Sequence, residues 1–422
     1  MSDPRYFRKG LGNHDQIAPL LHADYHNSLI EYVKAHDHRI RFDSTEVRLA
    51  HEFGFCYGVD RAVEYAYASR DRFPDRRIWI TGEIIHNPWV NRRLEEMGIR
   101  FLDPPGTVAD RLAVIDSEDV VLIPAFGVEN DDFLKLRDRG AILVDTTCGS
   151  VLNVWKSVER YAKDGYTAVV HGKVQHEETR ATCSQVTKHS GGRWLVLRDR
   201  EEANWVCDYL EGRLSADELR ARLGDSWSEG FDPERDLIRI GVANQTTMLS
   251  SESMEIAEMI GRSMARRFGE EKRSEHFRSF DTICSATQER QDAVGDLIKG
   301  GVDLMVVIGG FNSSNTTHLV EMSAKLVPAY HVEDANCLIS PDWIRHQPLG
   351  ERSPVLTQGW LAAAGRGATG ETPLVIGVTS GASTPNSETG RTIWRLLAFR
   401  GVPEAELTEM VHGARESASP RA

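Results

Sequence analysis

Short apolar runs alternate with amphipathic stretches along most of the chain. Residues 141–144, 168–170, 194–197, 237–242, 304–308, 329–332 and 374–378 have strand length and are bounded by turn residues, so they read as buried strands. Shorter strands are expected at 78–80, 99–102 and 120–124. Helix-like segments lie between them. The one at 60–72 (Asp-Arg-Ala-Val-Glu-Tyr-Ala-Tyr-Ala) opens on an acidic cap and keeps one face apolar. Strands alternating with helices predict an α/β protein built on small parallel sheets.

The pattern repeats. The run at 141–144 is followed by Asp-Thr-Thr-Cys148-Gly-Ser, a turn that opens a helix, and Asp-Thr-Ile-Cys284-Ser has the same Asp-Thr-x-Cys. His-Glu-Phe-Gly-Phe-Cys56-Tyr-Gly is a looser third copy. A helix-like segment, a short strand and a glycine follow each cysteine, with Gly82, Gly172 and Gly309 standing 26, 24 and 25 residues on. Four residues past each glycine is a polar side chain: His86, His176 and Ser313. A fixed period means one supersecondary unit used three times. Three such units can aim their strand ends at one centre, the edge at which open α/β sheets gather ligands.

Composition narrows the class further. The 422 residues and ordinary 41% hydrophobic content suit a globular chain of about three domains at ~150 residues each. No run approaches the ~18 apolar residues of a membrane span. The opening Met-Ser-Asp-Pro-Arg lacks the apolar core of a secretory signal, so a cytoplasmic location and no membrane partner are expected. Six cysteines are too sparse for a disulfide scaffold and are expected to be reduced. A net charge of −13 argues against nucleic acid as the main partner but leaves room for a small anion held by local donors.

The repeat suggests boundaries: a polar, partly helical arm at 1–44, α/β units at 45–147, 148–283 and 284–384, and a closing helix with a fraying tail at 385–422. Within the second unit, the charged, helix-prone segment 200–236 reads as an insertion on one face of the sheet.

Three sets of residues carry candidate chemistry. Singly, each cysteine reads as a small buried hydrophobe. At matching places in three repeats, Cys56, Cys148 and Cys284 read as ligands of zinc or of an iron–sulfur cluster. A cubane held by three thiolates keeps one iron open to substrate. Cys183, Cys207 and Cys337 fall outside the repeat and read as packing residues. The loop His176-Glu177-Glu178-Thr179 reads either as a solvated loop or as a cation and a proton donor facing one pocket, with Gln245-Thr246-Thr247 extending the proton path. Gly-Gly-Phe-Asn-Ser313-Ser314-Asn315 and Ser-Gly-Ala-Ser383-Thr-Pro each read singly as a helix cap. Together they offer the uncharged donors of a phosphate or diphosphate site.

The set Gly-Phe-Cys56-Tyr-Gly, Ile-His86-Asn, Asp-Thr-Thr-Cys148, His176-Glu-Glu178-Thr, Asn-Gln-Thr246-Thr, Asp-Thr-Ile-Cys284, Asn-Ser313-Ser-Asn315 and Ser-Gly-Ala-Ser383 resembles the 4-hydroxy-3-methylbut-2-enyl diphosphate reductase family over about residues 45–395. The arm and the 200–236 segment resemble its longer plant and cyanobacterial form. The resemblance implies a trefoil of three units around a [4Fe–4S] cluster on Cys56, Cys148 and Cys284, with one iron lacking a protein thiolate. It implies an allylic diphosphate substrate that loses its hydroxyl as water in the last step of the non-mevalonate isoprenoid pathway. The products are isopentenyl and dimethylallyl diphosphate, and the electrons come from ferredoxin or flavodoxin. By motif, Glu178 is the proton donor and Thr246 its partner, while His86, His176, Ser313, Ser314, Asn315 and Ser383 hold the diphosphate. Phe126 stands where many bacterial members have a further histidine. Two other classes fit the bare residues: a zinc hydrolase of a small phosphorylated substrate, and a non-enzymatic iron–sulfur regulator.

Overall fold

The computed structural model describes residues 5–362 and 373–418. Its strands, in chain order, are β1 (Tyr6–Phe7), β2 (Arg39–Phe42), β3 (Thr45–Leu49), β4 (Ile78–Ile80), β5 (Ile99–Phe101), β6 (Val120–Ile123), β7 (Ile142–Asp145), β8 (Thr167–His171), β9 (Trp194–Leu197), β10 (Ile240–Asn244), β11 (Phe277–Ser279), β12 (Leu304–Ile308), β13 (Ala329–Val332), β14 (Trp343–His346), β15 (Val355–Gln358) and β16 (Leu374–Ser380). The helices are α1 (His14–Tyr25), α2 (Ser28–Ala35), α3 (Tyr57–Arg72), α4 (Pro88–Glu96), α5 (Asn130–Asp138), α6 (Gly149–Lys163), α7 (Glu177–Thr187), α8 (Arg200–Leu210), α9 (Ala216–Leu223), α10 (Pro233–Asp236), α11 (Ser250–Phe268), α12 (Arg273–His276), α13 (Ser285–Lys299), α14 (Ser314–Ala324), α15 (Asn386–Phe399) and α16 (Glu404–Ala418).

The chain divides into two compact units. The first comprises Arg61–Ile85 and Arg93–Ser285 with the chain start through Gly12. It holds two sheets, β1-β7-β6-β4-β5 and β11-β10-β8-β9, in which every pairing is parallel. All five residues of β8 are buried because helices cover both faces. One face packs Val154, Val158 and Tyr161 of α6 with Val186 of α7. The other packs Val206, Leu219, Ile256 and Ile260, so the 200–236 segment is a helical cover for this sheet.

The second unit comprises Asn13–Asp60, His86–Arg92 and Ala286–Ala422. Its main sheet, β13-β12-β16-β3-β2, is parallel except at the β2–β3 edge. Leu304, Val306, Ile308, Ile376 and Val378 pack with Ile30, Val33, Ile393, Leu396 and Leu407 on one face, while Met305 and Val307 meet Val294 and Leu319 on the other. The antiparallel ribbon β14–β15 lies beside it in sequence.

All three parallel sheets share one strand order. Taken as last, third, first and second, it reads β7-β6-β4-β5, then β11-β10-β8-β9, then β3-β16-β12-β13. Thus β3, expected to begin the unit at 45–147, is instead the last strand of the sheet built from residues 304–380. The Cys-to-Gly spacing fixes the repeat but carries no information about which sheet the strand before each cysteine joins. The arm at 1–44 also differs from expectation, since it supplies two edge strands: β1 pairs with β7, and β2 with β3. Where one closing helix and a fraying tail were expected at 385–422, the chain forms two helices, α15 and α16, and residues 419–422 lie outside the described residues.

Candidate active site

Each of Cys56, Cys148 and Cys284 sits one residue before a helix, at the starts of α3, α6 and α13. Each is held by the same backbone bond. Cys148 N–H donates to Ala125 O (2.9 Å), Cys284 N–H to Thr246 O (3.3 Å) and Cys56 N–H to Ala382 O (3.2 Å). Those acceptors lie two residues beyond the ends of β6, β10 and β16, the equivalent third strands. In the two Asp-Thr-x-Cys copies, the aspartate accepts from the N–H two residues on, Asp145 from Thr147 and Asp281 from Ile283. Such an Asx-turn fixes the bend locally. The threonine hydroxyl then binds the neighbouring strand end: Thr146 donates to Ile123 O, and Thr282 both accepts from Asn244 N–H and donates to Asn244 O. In the third copy, Gly54 takes the threonine's slot and its N–H donates to Ser380 O.

The six cysteines separate cleanly. Cys56, Cys148 and Cys284 are partly exposed, whereas Cys183, Cys207 and Cys337 are buried. Burial pushes the Cys183 and Cys207 thiols up, away from the thiolate that binds metal. Among the described residues no disulfide is present. Partly exposed thiols at helix starts, in one repeated register, fit the ligand set of a thiolate-bound metal group.

In the first unit, the loops after β8 and β10 meet. His176 caps α7, its Nδ1 accepting from Glu178 N–H, which leaves Glu178 at the first turn. Glu178 is fully buried, while Glu177 is exposed. The Glu178 carboxyl accepts twice from Thr246, from its N–H (2.6 Å) and its hydroxyl (2.9 Å). Phe126 meets the His176 ring edge-on at 5.5 Å. A run of contacts therefore links Cys148, the 125–126 loop, His176, Glu178, Thr246 and Cys284. Gln245 does something the sequence did not reveal. Its Oε1 accepts from Thr179 Oγ1 and Lys173 N–H and its Nε2 donates to Thr247 Oγ1, so it ties the two loops together from behind.

In the second unit, Ser313 caps α14 by accepting from Thr316 N–H, and Ser313, Ser314, Asn315 and Ser383 are all buried. Among the described residues the buried Ser314 hydroxyl has no hydrogen-bond partner, which makes it a donor available to a ligand. Asn315 Oδ1 accepts from Ala382 N–H, and Ser383 Oγ donates to His86 O. Asn312 Nδ2 lies 3.4 Å from His86 Nδ1. This brings His86, the 313–315 helix start and the 381–384 turn together beside the Cys56 loop. Arg290 was missed in the sequence. Buried, it donates to Gly54 O (2.7 Å) and Ala286 O, bracing the Cys56 loop. A lone arginine inside a helix carries no motif that could have flagged it.

These side chains lie at the carboxyl ends of parallel strands, the edge at which α/β folds bind their ligands. The LytB protein family matches residues 47–396. Proteins named 4-hydroxy-3-methylbut-2-enyl diphosphate reductase from Thermosynechococcus vestitus (43% identity, 95% of this chain and 96% of the relative) and Gloeobacter violaceus (44%, 97% and 96%) are similar over almost their whole length. A solved structure of such a reductase, described as the terminal enzyme of the non-mevalonate pathway, aligns with TM-score 0.50 and 25% identity over 83% of this chain and 99% of its own. The Plasmodium falciparum reductase shares the fold, with TM-score 0.58 and 20% identity over 89% and 99%. The chain belongs to the LytB family of 4-hydroxy-3-methylbut-2-enyl diphosphate reductases. Among the described residues no helix is long and apolar enough to cross a membrane.

Proposed function

We propose that Cys56, Cys148 and Cys284 together hold a [4Fe–4S] cluster with one iron free of protein thiolate, and that Glu178 delivers the proton on which the reaction turns. As a LytB-family member the chain is an oxidoreductase acting on 4-hydroxy-3-methylbut-2-enyl diphosphate. Two electrons and two protons convert the substrate to isopentenyl or dimethylallyl diphosphate and water. When bound, the cluster supplies electrons and a Lewis-acidic position for the substrate oxygen. The chain's own residues do the rest. Ser313, Ser314, Asn315 and Ser383 offer short neutral donors to the diphosphate, with His86 beside them, and His176 is assigned to the same ligand by its motif. Phe126 cannot donate to a phosphate, so its edge-on contact orients His176 instead. The external electron source is ferredoxin or flavodoxin. Family membership sets aside the zinc hydrolase and the regulator.

The observation that carries this reading is the buried Glu178 held twice by Thr246. A hydroxyl leaves poorly unless protonated as its C–O bond breaks, and general acid catalysis is worth about 10²–10⁴-fold. Glu178→Gln keeps size and polarity but has no acidic proton, so it should bind substrate and retain iron while losing about 10²–10⁴-fold in kcat. The exposed neighbour should tolerate Glu177→Gln with little loss. Single-turnover assays with a chemically reduced protein isolate this step. Near-normal turnover in Glu178→Gln would move the proton donor elsewhere.

A further inference from the structure

The solvent side of α6 carries Lys156, Arg160 and Lys163 at helical spacing. Lys163 pairs with Glu159, but among the described residues neither Lys156 nor Arg160 forms an ion pair. Beside Arg160 lies Phe280, a large apolar side chain 42% exposed, with the guanidinium 5.9 Å from its ring and Tyr161 stacked beneath it. Next to these, Arg239 and Arg278 flank the Tyr166 ring at 4.1 and 4.3 Å. Asp164 offsets Arg278, and Asp281 is the exposed carboxylate adjoining Phe280. Set against Asp281, the cations Lys156, Arg160 and Arg239 still leave a net positive charge around an exposed aromatic, on a chain whose net charge is −13.

The position of this face matters as much as its sign. It is framed by the two segments that carry thiols of the first unit. The helix α6 begins at Cys148, and Phe280 precedes Cys284 by four residues, a span of at most about 14 Å even if fully extended. An acidic protein approaching this chain is repelled over most of its surface and attracted where the local charge reverses, so such a patch selects one docking orientation.

We propose that the Lys156–Arg160–Phe280 face is the docking surface for a small acidic one-electron carrier protein. The inference rests on the reductase reading, which needs two electrons per turnover. Two reduced carriers dock in succession and each is oxidised by one electron. Together with two protons these electrons remove the substrate hydroxyl as water. Lys156 and Arg160 steer the encounter, and Phe280 forms its dry centre.

The test uses the cluster-loaded full chain, with reduced plant-type ferredoxin as the carrier and dithionite-reduced methyl viologen as a small donor that needs no docking face. In Lys156→Glu/Arg160→Glu, the ferredoxin KM and the ferredoxin Kd should both rise by about tenfold at low salt and converge on wild type at high salt. The methyl viologen rate should be unchanged. Arg262→Glu/Lys272→Glu, an equal charge change on and after α11, should leave the ferredoxin KM and Kd near wild type. An unchanged ferredoxin KM and Kd in the first variant, or an equal rise in the second, overturns the proposal. Absence of turnover with methyl viologen in the wild type would instead count against the reductase reading, and the ferredoxin Kd would still decide the docking face.

Discussion

Two solutions to one structural problem stand side by side in the thiol loops. In the Cys148 and Cys284 loops, side chains do the holding: an aspartate makes the turn and a threonine hydroxyl bonds the neighbouring strand end. The Cys148 loop adds to this the backbone bond from Thr146 N–H to Ile123 O and an Arg61 clamp on its Thr146 and Thr147 carbonyls. The Cys56 loop, with glycine in place of threonine, has no hydroxyl staple and relies on the equivalent Gly54 N–H to Ser380 O bond and on the buried Arg290 at the Gly54 carbonyl. The cysteine nevertheless ends on the same bond in the same register. What the fold specifies is the placement of the thiol, and the sequence reaching it is free to change. Gly54 is required for its own reason. Its φ of +72° is left-handed, and a Cβ there would stand 2.9 Å from Asn386 Oδ1.

Acid should discriminate between these regions most strongly. The unit carrying Cys56 buries His331, whose Nε2 bonds the Gly309 carbonyl, and burial drives its pKa down to about 4. In the unfolded chain the same imidazole titrates near 6.5. Between these values the unfolded state binds more protons, so stability is full above about pH 6.5 and falls as pH drops toward 4. The loss is of order 3 kcal/mol. Protection of the β12 and β16 amides, taken as hydrogen-exchange rate relative to the intrinsic rate at each pH, should fall over this window in the wild type and much less in His331→Gln. Equal pH dependence in both would show that His331 is not responsible.

Smaller effects come from the loops themselves. Gly54→Ala should cost about 2 kcal/mol, from the left-handed backbone and the Asn386 contact. Thr282→Val keeps the shape but strips two hydrogen bonds from Asn244, at about 1.5 kcal/mol. Thermal denaturation of the two variants should show the glycine variant as the less stable. The reverse order would mean that the side-chain staple is the stiffer of the two.

Much of this was legible in the chain. The Cys-to-Gly period identified the repeat, the helix starts and the separation of Cys56, Cys148 and Cys284 from the packing cysteines, because period and turn chemistry are local properties. The Asp-Thr-x-Cys copies pointed to a shared loop, though the Asx-turn and strand staple that explain them needed coordinates. The partnership of β3 with β16, and the return of β1 and β2 as edge strands, could not be read. Sheet membership depends on pairing between segments hundreds of residues apart, and these runs look like any other short strand. Arg290 escaped for a related reason, and so did the bracing role of Gln245, which the sequence placed on a proton path instead. Each acts by closing a gap between loops, and no spacing announces that.

The central claim is that three equivalent cysteines, and not the other three, hold the metal group. It is tested most directly by anaerobic reconstitution of single Cys→Ser variants, reading iron per chain together with visible absorption. The account predicts that Cys56→Ser, Cys148→Ser and Cys284→Ser each lose the absorption and most of the iron. Cys207→Ser, altering a buried thiol in α8, should keep about four iron atoms per chain, the content of a [4Fe–4S] group. A bleached Cys207→Ser beside a fully loaded Cys56→Ser would contradict it.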